Sequence, residues 1–308
     1  MHEWYPSECA PVTAPVEIVS GQFITRDGLP IRIPSGSVVN NGWGAIGSTF
    51  IADPIEKALP AKLQLRWFSY AENKFYGGDF AIDAQHFDSL FEAGYVSPID
   101  GGKKVFDRIV VGMAPGGGVA LWLKGEQITK EVAFFRAAEI QEDWNAFSNE
   151  SPRSRGEYVQ AQLEQVLERP QIGLALQGAK AGLTLWDEAY RKRYQWSPKL
   201  ISRGRIKQLL VRYYNGEVLL NPGSGTVQEH PLPEQLDLYW SNPDGVDYGA
   251  TIRFEFAELS GAFERLAPGG ALLLNLEADT LSTEVAVFLQ NKTETYRFKN
   301  ARLRVFRM

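Results

Sequence analysis

Apolar and polar residues alternate along much of this chain. In Leu63, Leu65 and Trp67, with Gln64 and Arg66 between them, and again in Leu236, Leu238 and Trp240, the period is two, which predicts strands with one face on a core. Other segments are short, rich in Val, Ile, Leu, Phe and Tyr, and bounded by Gly, Pro, Asn and Asp, which also predicts strands. Trp67 and Trp240 read as packing anchors, because a buried indole removes a large area from water. A helical period shows in Phe87, Leu90 and Phe91 with Gly94 just beyond, and ELSGAFERLAPGG in the second half looks like its partner. The stretch 151–170, with Tyr158, Leu163, Val166 and Leu167, predicts a helix stopped by Pro170, and 183–196 a second one.

The same patterns recur along the chain. LPAKLQLRW (59–67) and LPEQLDLYW (232–240) agree at five of nine positions. IRIPSGSVVNN (31–41) aligns with VRYYNGEVLLN (211–221), APGGGVALWL (114–123) with APGGALLLNL (267–276), and EVAFF (131–135) with EVAVF (284–288), in preserved order. The expected fold is α+β and β-rich: two tandem duplicated β-sandwich-like domains with a helical connector, a first copy at 1–138, the connector at 139–202 and a second copy at 203–308. The falling offset between the blocks implies that Ser97 to Lys104 and a strand at Val105 to Met113 belong to the first copy alone. Functional elaboration and neutral loop variation both explain such an addition.

Composition narrows the class of function. With 308 residues and 44% hydrophobic content the chain can bury a real core. A net charge of −5 argues against a general nucleic-acid binder. The single cysteine, Cys9, excludes an internal disulfide framework and a multi-cysteine zinc site. No apolar run approaches the ~18 residues of a membrane helix, and MHEWYPSECAP has neither a basic nor an apolar leader region.

Candidate chemistry is sparse. Gly42, Gly44 and Gly47 form a literal GxGxxG, but Pro54 and β-branched residues follow where a nucleotide-binding motif needs a helix. APGGG at 114–118 lacks the Lys-Ser/Thr of a phosphate loop and recurs at 267, as a turn would. His2, His86 and His230 show no metal spacing; His86 and His230 read as surface or capping residues. No catalytic residue, metal or cofactor is assigned, and the chain is expected not to be an enzyme. ETYRFKNARLRVFR reads as a C-terminal hairpin with Arg297, Lys299, Arg302 and Arg304 on one basic face; such a face could meet anionic lipid or acidic protein, and the favoured reading is that it guards an edge strand against pairing.

Aromatic residues beside charges are what protein interfaces use as anchors. On that ground the partner-binding candidates are Tyr70, Glu72, Asn73, Phe75, Tyr76 and Asp79 in the first half, Asp100 in its added loop, and Asp244, Asp247 and Tyr248 in the second.

WFSYAENKFYGGDF (67–80), NNGWGAIGST (40–49) and FDRIVVGMAPGGGVALWLKG (106–125) together resemble an uncharacterised bacterial family of predicted lipoproteins known as a domain of unknown function, over residues 4 to 200. The resemblance implies an envelope protein, and some similar lipoproteins stand beside type VI secretion effectors as immunity proteins. It therefore implies a periplasmic chain that binds a cognate secreted toxin, phospholipases being one such class, and blocks its active site. Nucleic acid is not an expected partner, and contact with membrane is expected only through a lipid anchor absent from this chain. Cys9 follows Pro6, Ser7 and Glu8 rather than an apolar stretch, so it does not match the family's lipidated cysteine, and the lipoprotein leader is expected to lie outside this sequence. A module that binds glycan or lipid and an unrecognised hydrolase are the alternatives.

Overall fold

The computed structural model describes residues 1–49, 54–97, 99–181, 184–202, 204–278 and 285–308. It forms two compact units, Met1–Ala189 and Tyr190–Met308.

In the first unit one group of strands comprises Tyr5–Cys9 (β1), Arg108–Ala114 (β7), Gly118–Gly125 (β8) and Ile128–Arg136 (β9), paired in that order. β1 and β7 are parallel; the other pairs are antiparallel. A second sheet contains Val16–Thr25 (β2), Pro30–Arg32 (β3), Val38–Val39 (β4), Pro60–Ser69 (β5), Lys74–Ala81 (β6) and Ala138–Ile140 (β10), in the order β10-β6-β5-β2-β3, with β4 also on β2. Alternation does its expected work. Leu63, Leu65 and Trp67 of β5 meet Ile109, Val111 and Met113 of β7 in one buried cluster, a two-layer sandwich core. Helix α1 (Ala84–Ala93), capped by the Asp83 carboxylate on the His86 amide, adds Phe87 and Phe91 to it. β7 is buried on both faces, since Val110 packs outward with Cys9, Ala120 and Trp122 beneath Trp43; its sequence is accordingly an unbroken apolar run.

Short helices α2 (Trp144–Phe147), α3 (Arg155–Val166) and α4 (Arg169–Ala181) follow. Val159 and Leu163 of α3 cover Phe68, Tyr70 and Phe75 at the β5–β6 hairpin. Ser154 and Glu157 cap α3 reciprocally. Pro170 does not end the helical region: it sits in the first turn of α4, where its missing N–H breaks no intrahelical bond.

The second unit runs Arg193–Ser202 (β11), Arg205–Tyr213 (β12), Val218–Leu220 (β13), Gln228–Pro231 (β14), Pro233–Ser241 (β15), Asp247–Arg253 (β16), helix α5 (Phe256–Leu266), Leu272–Ala278 (β17), Val285–Gln290 (β18), Thr295–Arg297 (β19) and Arg302–Arg307 (β20). Its strands pair as β13-β12-β15-β16-β20 and β14-β11-β17-β18-β19. Leu236, Leu238 and Trp240 meet Leu272, Leu274 and Leu276 across one core that α5 closes with Leu259 and Phe263.

Strand connections correspond between the units. Each has a parallel pair (β1/β7, β11/β17), a helix after an antiparallel hairpin (β5–β6, β15–β16), and a late strand laid against that hairpin (β10, β20). Two aromatic arrangements recur with them. Trp67 stacks on Tyr76 at 5.5 Å and Trp240 on Tyr248 at 5.7 Å. The Trp4 indole donates to the Ala58 carbonyl at 3.2 Å, and that of Trp196 to the Pro231 carbonyl at 3.1 Å.

Several expectations need correction. Of the four repeated blocks, only 59–67 and 232–240 occupy corresponding strands, β5 and β15. The block at 31–41 covers β3 and β4 while 211–221 covers the end of β12 and β13; 114–123 leads into β8 but 267–276 into β17; and 131–135 lies in β9 while 285–288 lies in β18, residue 284 being outside the described residues. Shared turn and strand composition rather than position made those blocks look alike. β7 is therefore matched by β17, and what the first unit adds is the small ribbon in which Tyr95–Val96 pairs with Lys103–Lys104. The second helix expected at 183–196 is instead a single turn at Leu185–Ala189 followed by β11, residue 183 being outside the described residues. No C-terminal hairpin forms, because β19 and β20 lie in different sheets and Glu258 takes the intervening Lys299 and Asn300 amides.

His230 is likewise neither a surface nor a capping group. It is 9% exposed, stacks on Tyr213 at 5.8 Å and meets the edge of Trp196. Burial first, and Arg193 second, hold its imidazolium form below the usual value. Below about pH 6.5 the unfolded chain takes up a proton that the folded site resists, so stability falls as pH drops through that value. Urea unfolding between neutral and mildly acidic pH should show that slope, and His230→Phe should flatten it.

Candidate functional site

The outer face of the β10-β6-β5-β2-β3 sheet carries a polar trough. The residues that alternate away from the core on β5 are Lys62, Gln64 and Arg66, and register places Gln22 and Asp79 beside Gln64 on the flanking strands. The Gln22 amide donates to the Gln64 carbonyl oxygen at 2.7 Å, and the Gln64 amide donates to both Asp79 oxygens at 3.3 and 3.2 Å. Lys62 closes the row on Asp79 at 2.6 Å. These contacts hold the Asp79 carboxyl below its usual range, Lys62 first and Gln64 second, so it stays ionised at neutral pH and serves as an acceptor, not a proton donor.

Three adjoining hollows of about 490, 440 and 420 Å³ follow this face; the first and second share Arg66 and Asp79, the second and third Ile140 and Gln141. Gly77 forms part of the floor. A Cβ there would stand 2.8 Å from Ile140 Cδ1 and 3.1 Å from Arg66 Cγ, so glycine lets both side chains close over the strand. Most charges along the trough are paired: Arg66 with Glu142 at 3.1 Å and Lys74 with Glu139 at 2.7 Å. At the far end Arg155 donates to the Asn73 side-chain and backbone oxygens, both at 2.7 Å, with its guanidinium 5.0 Å from the Trp144 ring centre. Arg32 differs. It lies opposite Gln22 on the edge strand β3, is exposed, and has no ion-pair partner among the described residues.

The partner-binding candidates distribute unevenly over this framework. Tyr70, Phe75 and Tyr76 are buried at 1%, 3% and 6% exposure and pack in the cores; the Tyr70 hydroxyl donates to Glu17 at 2.5 Å. Their rings build the hairpin instead of facing solvent. Glu72 is a tie: its oxygens accept the Ser69 hydroxyl at 2.8 Å, the Tyr76 hydroxyl at 2.9 Å and the Gly116 amide at 2.9 Å. Asn73, in a left-handed turn conformation at φ 54°, receives Arg155. Asp79 alone of the first six lies centrally in the trough. Asp100 is exposed in the turn of the 95–104 ribbon, where the Gly102 amide and Lys104 hold it ionised. Asp244, Asp247 and Tyr248 share one hairpin end of the second unit; Asp247 binds Lys207 at 2.6 Å and the Ser241 hydroxyl at 2.7 Å.

Gln22, Arg32, Gln64 and Arg66 were not among the candidates. The alternation of β5 marks Gln64 and Arg66 as outward, whereas joining them to Gln22 and Arg32 needs strand register, which no local pattern carries.

The other motifs resolve structurally. The GxGxxG loop packs over β1: the Gly47 amide donates to Ser7 Oγ at 3.0 Å and that of Ser48 to Glu8 Oε1 at 2.8 Å. A Cβ on Gly47 would lie 2.3 Å from the Glu8 carbonyl oxygen, so this glycine answers a close backbone approach. Residues 50–53, which would follow the motif, lie outside the described residues. APGGG makes the β7–β8 turn, with Gly116 and Gly117 at positive φ. Burial pushes the Cys9 thiol up to about 12, leaving it protonated and a poor nucleophile at neutral pH. Among the described residues no group of three or more His, Cys, Asp or Glu is placed to hold a metal ion.

Two acidic residues seven positions apart in the chain thus have different expected weights. Glu72→Ala leaves two hydroxyls and an amide without their acceptor and should cost about 2–3 kcal/mol in chemical denaturation; Asp79→Ala breaks only exposed contacts, with Lys62 and Gln64, and should leave the unfolding midpoint unchanged.

No curated protein and no solved structure matches the chain. Residues 1–174, which span the trough and its supporting helix α3, match the family model described as a protein of unknown function, DUF2931. The chain therefore belongs to the DUF2931 family.

Proposed function

We propose that this chain is a non-catalytic binding protein which acts in the periplasm as an immunity protein, seating an extended segment of a type VI secretion effector in the trough and covering that effector's active site. A phospholipase is the effector class proposed. The observation that carries the reading is the trough itself. It crosses five strands, about 19 Å at ~4.8 Å per strand, the length of some six extended residues. Its side chains are already tied to one another, so little rotamer freedom is lost when a partner docks. Arg32 offers a guanidinium for a partner carboxylate. Neutralisation is steric, and the contact must extend beyond the trough to bury roughly 1,200 Å² or more. The family resemblance to predicted lipoproteins found beside secreted effectors supports the periplasmic setting and the kind of partner.

The Gln22–Gln64–Asp79 row favours a second reading, an envelope module that binds glycan, since alternating amide and carboxylate groups suit sugar hydroxyls.

Co-expression with the product of the neighbouring gene, followed by purification on a tag carried by either chain, separates the two. The immunity reading predicts a stoichiometric complex, and Arg32→Glu should weaken it by about tenfold or more without changing the unfolding midpoint. A chain that retains glycan but no protein, or a complex indifferent to Arg32→Glu, would contradict it.

A further inference from the structure

The second unit exposes a different surface, independent of the trough. On the outer face of β12-β15-β16-β20, register lines up Arg212, Gln235, Arg253 and Arg302 in one row, and Asp237, Thr251 and Arg304 in the next. All four arginines are exposed. Asp237 is the one acid in these two rows, and it is already engaged by the Gln235 amide and the Thr251 hydroxyl at 2.9 Å, with Arg212 more loosely at 3.7 Å. Arg253 donates to Gln235 at 2.7 Å. Arg302 and Arg304 have no ion-pair partner among the described residues. Glu234 and Glu255 stand at one end, around a hollow of about 500 Å³ beside Arg253 and Arg302; Glu255 spends its carboxylate capping α5. Arg253 and Arg302 are direct cross-strand neighbours of like charge, a pairing that destabilises a sheet unless an anion relieves it.

β20 is also the open edge of its sheet. The Met308 amide donates to the Asp247 carbonyl at 3.0 Å, which sets the phase of the antiparallel ladder: Arg302, Arg304 and Phe306 bond inward to β16, while the amides and carbonyls of Leu303, Val305 and Arg307 face outward. An unsatisfied backbone edge and an unopposed arginine face thus meet on one strand.

We infer that β20 receives an extended acidic segment of a partner protein, which adds to the sheet edge as a further strand and lays its carboxylates over Arg302 and Arg304. A row of alternating backbone donors and acceptors is matched along its whole length by another extended backbone, which a lipid headgroup does not provide. A second copy of this chain pairing antiparallel through β20 would lay two copies of the Arg302–Arg304 row on one face, so the occupant carries the opposite charge.

The test uses the full chain, a short peptide of alternating glutamate and threonine, its lysine–threonine counterpart, and phosphatidylglycerol vesicles. Amide hydrogen exchange at Leu303 and Val305 should slow with the acidic peptide alone. Arg302→Glu combined with Arg304→Glu should weaken that binding by at least about tenfold. Leu303→Pro, which removes an outward amide and leaves the inward ladder intact, should do the same; should this variant not fold, the charge reversal decides. Unchanged exchange with the acidic peptide, equal binding of the lysine peptide, binding to vesicles only, or full affinity in the charge-reversed chain would overturn the assignment.

Discussion

One tryptophan stacked on one tyrosine across a hairpin fixes the register of each unit. Trp67 over Tyr76, and Trp240 over Tyr248, lie within 6 Å on the inner faces of β5–β6 and β15–β16. Both indole N–H groups are buried without a partner. Leaving such a donor unsatisfied costs about 1–3 kcal/mol, yet an indole that removes ~200 Å² from water at ~25 cal/mol per Å² returns about 5 kcal/mol. Ring burial wins. Because side chains alternate, a slip of one residue would expel both rings and turn every outward polar group inward; the stack therefore determines what each sheet presents to solvent.

The outer surfaces follow from that constraint in different ways. In the first unit Gln22, Gln64 and Asp79 fall in one row and neutralise each other's hydrogen-bonding needs, with Lys62 completing the set. The result is a rigid, nearly charge-balanced trough with Arg32 left over. In the second unit the outer face concentrates Arg212, Arg253, Arg302 and Arg304 around Asp237. Similar strand connections thus carry dissimilar surface chemistry, as expected where inward positions answer to packing and outward ones to whatever docks there.

The inner halves of both sheets were legible in the sequence. Leu63, Leu65, Trp67 and their counterparts Leu236, Leu238 and Trp240 alternate cleanly, and both helices after the hairpins announce themselves by apolar spacing and, for α1, a trailing glycine. What misled was turn chemistry: APGG marks a sharp reversal in both units but leads into strands at different places, so local likeness suggested a wrong correspondence. Aromatic residues near charges misled for a related reason. Tyr70, Phe75 and Tyr76 sit in a hairpin that α3 covers, and no local pattern in the 67–80 stretch reveals that a helix some eighty residues later will bury it. The trough depends on register between β3, β2, β5 and β6, a non-local property.

Both outer surfaces thus depend on the two rings of each hairpin acting as a unit. A double-mutant cycle on Trp67→Ala and Tyr76→Ala, followed by chemical denaturation, tests this most directly. Each single change is predicted to cost about 3–5 kcal/mol, with a coupling of about 0.5–1.5 kcal/mol between them. Single changes costing under about 1 kcal/mol, or costs that simply add to within ~0.3 kcal/mol, would contradict the claim that the stack sets the register on which both outer surfaces depend.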